Sequence, residues 1–193
     1  MSDVVQSYIK SAVADFPDER GEAGYRCSVD LKDGSHLPCV LIRHAAPVDS
    51  AVRSFKKGRT GHRQFSDSKQ ELRSVLSRVA AVANGVNSSN VATVGRSKYA
   101  LPMELLNQIK SETSMGWTGW VFEMSDGKLF SFGTAHSLAF FELPDGFEFG
   151  DVAKVHNHSY LCDQGKLVTR GGDHEHVKPG KVYEDLPYLE CFV

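Results

Sequence analysis

The 193-residue chain lacks most of the features that identify a protein class at first reading. Its four cysteines form no Cys-x-x-Cys pair, so we expect reduced, buried thiols rather than a redox motif or zinc ribbon. No apolar run approaches the roughly 18 residues of a membrane span, and the first residues lack the basic and apolar regions of a signal peptide. We therefore expect a soluble, cytoplasmic protein without membrane association.

Familiar catalytic motifs are also missing. The sequence contains no P-loop, no Gly-x-Gly-x-x-Gly fingerprint, no Gly-x-Ser-x-Gly elbow and no His-Glu-x-x-His pair. The common routes to nucleotide binding, ester hydrolysis and zinc proteolysis therefore have no support. The apolar share of 41% and the charged share of 24% are close to globular averages, so the chain is expected to fold around its own core with no cofactor.

The net charge of −2 conceals two regions of opposite sign. The segment from Arg43 to Arg78 contains nine basic and three acidic residues, whereas the segment from Ser111 onward contains six basic and thirteen acidic residues. The densest basic segment predicts an anion-binding loop, which consists of Lys56, Lys57, Arg59 and Arg63. An anionic ligand or a nucleic acid could bind there, and the alternative interpretation is an ordinary solvated loop.

Glycine-containing turns between apolar runs predict β-hairpins. The clearest runs from Trp117 to Phe132 around Asp126-Gly127, and a second from Tyr25 to Ile42 around Asp33-Gly34. We expect a type I′ turn with Gly127 at positive φ. A third hairpin is expected over 160–168, and a final strand over 186–193. The Trp and Phe residues of this region, Trp117 included, are interpreted as sheet core, although an exposed member could anchor a protein interface.

Helical periodicity is concentrated in the first part of the chain. Predicted helices cover residues 4–16, 47–58 and 67–84, with a short turn after Asn87 and another helix beginning at Pro102. The expected class is α+β, with an antiparallel sheet built from at least two Asp-Gly hairpins and three to five helices mainly in the first 115 residues. We expect a single domain over 1–193, with a split into two lobes near 85–100 as the alternative. Whether the hairpins share one sheet stays open.

The apolar stretch Cys39-Val40-Leu41-Ile42 ends in Arg43-His44-Ala45. This motif resembles the opening of the histidine phosphatase superfamily, in which a buried strand presents Arg-His-Gly or Arg-His-Ala. The resemblance implies a phosphohydrolase with His44 as nucleophile, Arg43 as phosphate clamp, and a late histidine such as His156 or His158 as a further catalytic group. The alternative is that Arg43 and His44 simply cap an edge strand.

Two His-x-His pairs suggest a metal site. His156 and His158 form one pair, and His174 and His176 form the other. Because alternate residues of a strand share a face, each pair could offer two imidazoles to one ion. The alternative is that these histidines are solvated loop residues.

No closed catalytic constellation emerges from these patterns. The leading expectation is therefore a small non-enzymatic binding or regulatory protein that acts through a macromolecular partner, most simply another protein. A phosphohydrolase using Arg43-His44 and a metal-binding protein using the His-x-His pairs are the alternatives. The partner and the oligomeric state are beyond the sequence.

Overall fold

The structure is a computed structural model that describes residues 3–17, 23–43, 85–110, 117–169 and 177–193. The described chain divides into two compact units. One unit contains the residues up to Lys98 together with Tyr188–Val193, and the other is Tyr99–Pro187. The helices predicted for 47–58 and 67–84 lie outside the described residues.

A five-stranded sheet forms the first unit. The elements of this unit are α1 (Asp3–Ser11), β1 (Phe16–Pro17), β2 (Ala23–Leu31), β3 (His36–Arg43), the 3-10 helix η1 (Ser88–Asn90), β4 (Val91–Arg96) and β11 (Leu189–Phe192). Strand β2 pairs antiparallel with β3 along one edge and with β1 and β4 along the other, while β11 pairs with β3 in parallel.

The core of the first unit is built from small and branched side chains. Tyr25, Cys27 and Val29 alternate along β2 and therefore share one face of the sheet. The remaining buried members are Val5 of α1, Val40 and Ile42 of β3, Val91 of β4 and Cys191 of β11. Helix α1 thus covers this face, as its apolar stripe predicts.

The second unit contains a four-stranded sheet and a separate two-stranded sheet. Its elements are α2 (Met103–Leu106), β5 (Thr118–Met124), β6 (Leu129–Thr134), the 3-10 helix η2 (Phe149–Asp151), β7 (Val152–Asn157), β8 (Ser159–Leu161), β9 (Leu167–Thr169) and β10 (Val182–Glu184). The larger sheet has the order β10-β6-β5-β7, and the smaller one is β8-β9. The strand pairings are antiparallel except that of β10 with β6.

Aromatic rings dominate the core of the second unit. The Trp120 ring lies 5.2 Å from Phe141 and 6.0 Å from Phe132 between centroids, and Phe122 lies 4.8 Å from Phe132. All four side chains are fully buried. Leu101 and Leu105, before and within α2, close the same core.

The three predicted hairpins are confirmed, but their turns are not of type I′. In the second hairpin the Gly127 N–H donates to the Met124 carbonyl, the Met124 N–H donates to the Lys128 carbonyl, and Gly127 has φ of 82°. Asp126 does not have the positive φ that type I′ requires, because His158 is the one non-glycine residue at positive φ in the described ranges. The same pattern recurs at Gly34 and Gly165.

The predicted α+β class is wrong. Strands account for 48% and helices for 15% of the structure, which contains two α-helices within the described residues and three sheets. The residues after Asn87 form one 3-10 turn and then β4, because Val91 to Arg96 gain a hydrogen-bonded ladder on β2. The first helix ends at Ser11, and Phe16–Pro17 pair with β2 instead. No helix of the described part is long and apolar enough to cross a bilayer.

Candidate functional site

A pocket of about 310 Å³ opens within the second unit, on the sheet face opposite to the aromatic core. It lies beside strands β5, β6 and β10, next to β8 and to the segment that precedes β10. The described residues that line it are Trp117, Gly119, Ser131, Phe132, Ser159, Tyr160, Val177, Pro179 and Val182.

One glycine lines the pocket, and its cross-strand partner lies under the Trp117 ring. Gly119 of β5 and Gly133 of β6 are directly paired across the hairpin, so this part of the sheet carries no side chains. The Trp117 indole lies against Gly133, where an added Cβ would come within 2.3 Å of Trp117 Cζ2. The close approach requires glycine at position 133, because any side chain would overlap the ring.

Hydrogen bonds hold the walls of the pocket in place. The Leu161 N–H of β8 donates to the buried Ser131 Oγ at 2.6 Å, which ties β8 to the sheet. The segment before β10 is tied to β8 in turn, since the Gly180 N–H donates to the Leu161 carbonyl at 2.8 Å. An added Cβ at Gly180 would lie 2.7 Å from the Cys162 carbonyl oxygen, so this contact also depends on a glycine.

The lining offers apolar surface and few open polar groups. Ser131 Oγ accepts the Leu161 N–H, and Ser159 Oγ donates to the Asn157 carbonyl at 2.9 Å, so both hydroxyls serve the fold. The Trp117 indole N–H and the Tyr160 hydroxyl have no hydrogen-bond partner among the described residues. None of the described lining residues carries a charge. The described lining therefore suits a neutral apolar group.

Arg43, the proposed phosphate clamp, ends strand β3 in the first unit. Its Nε lies 3.2 Å from Glu190 Oε1 of β11, and its carbonyl accepts the Val193 N–H at 2.9 Å. The guanidinium is thus engaged by the sheet that carries it. His44 lies outside the described residues, and His156 and His158 belong to the second unit. The phosphohydrolase reading stays a prediction.

The histidines of the predicted metal site have different surroundings. His156 lies in β7, and its Nε2 is 2.7 Å from Glu123 Oε2 on β5. His158 lies in the turn after β7 with φ of 52°, so the two are not same-face residues of one strand. His174 and His176 lie outside the described residues. Within the described ranges, no three His, Cys, Asp or Glu side chains come together as a metal site.

The predicted anion-binding loop lies outside the described residues, with all four of its basic residues, Lys56, Lys57, Arg59 and Arg63. Anion binding by this loop stays a prediction. All four cysteines are free and buried, as the sequence led us to expect.

Sequence reasoning missed the pocket. It assigned Trp117 to the sheet core together with the other aromatic residues, whereas the structure leaves this side chain partly exposed at the pocket. One local signal was available. Gly119 and Gly133 are symmetrically placed about the Asp126-Gly127 turn, and a glycine within a strand often marks a close approach of another group.

The chain matches no protein-family model, and comparisons with curated proteins and with solved structures find no match.

Proposed function

We propose that this chain is a non-enzymatic, cytoplasmic binding protein that acts through a protein partner. The pocket of the second unit takes one large, neutral, apolar side chain of that partner. The observation that carries this proposal is the pocket itself, with its apolar lining.

The chemistry of the lining supports binding over catalysis. An active site usually places titratable groups with specific charge partners in its cleft. Tyr160 is the one titratable residue among the described lining residues. A volume of about 310 Å³ is at the small end for ligand sites, which suits one large side chain better than a dinucleotide or another extended cofactor.

The state of the cysteines supports a reducing compartment. Cys27, Cys39, Cys162 and Cys191 are all free and buried, and disulfides are rare in the cytosol. The cytoplasmic assignment remains part of the proposal.

A random peptide library displayed on phage tests the proposal. We expect the full-length protein to enrich peptides that share one large apolar residue at a fixed position. The variant Val182→Phe places a larger side chain at the pocket wall and should abolish this enrichment. The control Leu167→Phe alters a residue of β9 that is 39% exposed and does not line the pocket, so it should bind as the native chain does.

Two results would contradict the proposal. One is the absence of any enriched peptide motif with correctly folded protein. The other is equal binding by Val182→Phe and Leu167→Phe, which would place the binding surface elsewhere.

A further inference from the structure

We infer that the pocket selects an aromatic side chain, such as tyrosine, from an uncharged segment of the partner, and that the Trp117 indole N–H donates a hydrogen bond to an oxygen of that segment. This inference rests on the proposed function and names the chemistry that the site recognises. Its basis is the shape of the walls, the open donor and the charge of the region.

The shape of the pocket favours a planar group. Gly119 contributes only backbone to the lining, and the aromatic residues Trp117 and Tyr160 also line the pocket. Aromatic rings bury a large area with few rotatable bonds, and they gain extra energy from stacked or edge-to-face contacts with other rings. A branched aliphatic side chain would gain the burial but not the ring contacts.

The open donor favours a guest with an acceptor. The Trp117 indole N–H is a donor without a partner among the described residues, and Trp Nε1–H cannot accept a bond. Filling the pocket with a group that offers no oxygen would remove this donor from water without compensation. A tyrosine hydroxyl or a main-chain carbonyl next to the guest ring can supply the acceptor.

Charge argues against a nucleobase as the guest. No described lining residue is basic, and acidic residues outnumber basic ones by thirteen to six from Ser111 onward. A nucleotide brings a phosphate that this region would repel. An uncharged peptide segment meets no such penalty.

The test uses the full chain, labelled with ¹⁵N, and capped Gly-Xaa-Gly peptides with Tyr, Trp, Leu or Lys at the centre. The chain contains two tryptophans, so its spectrum has two indole N–H signals. The variant Trp117→Phe identifies the signal of Trp117 by its loss. We expect the Tyr peptide to bind at least tenfold more tightly than the Leu peptide, and to shift the Trp117 signal while leaving that of the buried Trp120 in place.

The outcomes separate this inference from the proposed function. If no peptide binds, the proposed function fails. If the Leu peptide binds within threefold of the Tyr peptide, or the Trp117 signal does not move, the pocket binds side chains but the aromatic selection is wrong. Adenosine monophosphate serves as a further probe, and tighter binding of it than of the Tyr peptide would overturn the inference. The ranking in the native protein decides the question even if a Trp117 variant is unstable.

Discussion

In each unit a side chain packs closely against a hairpin glycine, but the side chain differs between the units. Each is built around a hairpin with the same five-residue turn, and each has a glycine in that hairpin where another residue approaches closely. In the first unit the space at Gly24 is taken by Leu41, which is fully buried, so the sheet face is closed. In the second unit the space at Gly133 is taken by Trp117, whose ring stays partly exposed and leaves a pocket.

The two units also differ in whether a polar side chain near the glycine has a partner within the fold. Arg26 in the first unit is buried on β2, where its Nη2 lies 3.2 Å from Asp15 Oδ2 and its guanidinium lies 5.1 Å from the centre of the Phe16 ring. The polar side chain therefore serves the fold. In the second unit, the Trp117 donor is left open beside a pocket. The comparison indicates that backbone topology alone does not make a pocket, because the side chain that covers a glycine decides whether the face is filled.

The largest effect is expected from the aromatic core. Trp120→Ala removes a fully buried ring that contacts Phe132 and Phe141, and such truncations typically cost about 3–5 kcal/mol of unfolding free energy. The counterpart Ile42→Val in the first unit should cost only about 0.5–1.5 kcal/mol, because it deletes one methylene. Urea denaturation followed by circular dichroism measures both. A smaller loss for Trp120→Ala than for Ile42→Val would refute the assigned core.

The next effect concerns Gly133, which lies against the Trp117 ring. Gly133→Ala forces the indole to move, which should cost about 1–3 kcal/mol of unfolding free energy and weaken binding of the Tyr peptide at least tenfold. The control Gly150→Ala enters open space and should change neither quantity measurably.

Gly24→Ala is the matching substitution in the first unit. Its Cβ would lie 2.8 Å from Leu41 Cδ1, so stability should fall while binding of the peptide is retained. Thermal melts and peptide titration of the three alanine variants check these expectations. Retained binding of the Tyr peptide by Gly133→Ala would show that binding does not depend on the position of the Trp117 ring.

Replacing the turn glycine with valine should lower the unfolding free energy by a similar amount in both units. Gly34 and Gly127 have φ of 88° and 82° with open space around each Cβ position, so valine there is penalised by backbone strain alone. We expect Gly34→Val and Gly127→Val each to cost on the order of 1–3 kcal/mol. Thermal denaturation measures the two variants against Gly150→Val, which lacks positive φ. A cost confined to one hairpin would mean that the turns are not equivalent.

The last effect concerns alkaline pH and the first unit. Burial raises the pKa of Cys27 to about 12 and that of Cys191 to about 11, whereas an unfolded thiol ionises near 9. Between these values the unfolded chain has lost protons that the folded chain retains, so stability falls as pH rises above 9. One pH unit corresponds to about 1.4 kcal/mol per thiol.

Urea denaturation at pH 8 and pH 10 measures this loss. The double variant Cys27→Ala with Cys191→Ala should lose less stability over the same interval than the native chain does. An identical pH dependence in the two proteins would show that these thiols do not control it.

Local features of the sequence were sufficient to predict the hairpins, the final strand and the helix after Pro102. Each depends on residues that are close in the chain, such as a glycine that must adopt positive φ or a proline that begins a helix. Strand β4 was misread as a helical turn because Val91, Val94 and their neighbours become a strand only by pairing with β2. The parallel pairing of strand β10 with β6 has no local signal in the sequence.

The sequence by itself determined where the chain turns and which runs are apolar, because both properties depend on φ preferences and on side-chain hydrophobicity within a few residues. Only the tertiary structure decided that the two large hairpins belong to separate sheets, that Gly119 and Gly133 pair across the second hairpin, and that Trp117 lies over Gly133. These features depend on hydrogen-bond ladders and contacts between distant residues. Several pairings can satisfy the same local pattern, so the packing of the whole unit selects among them.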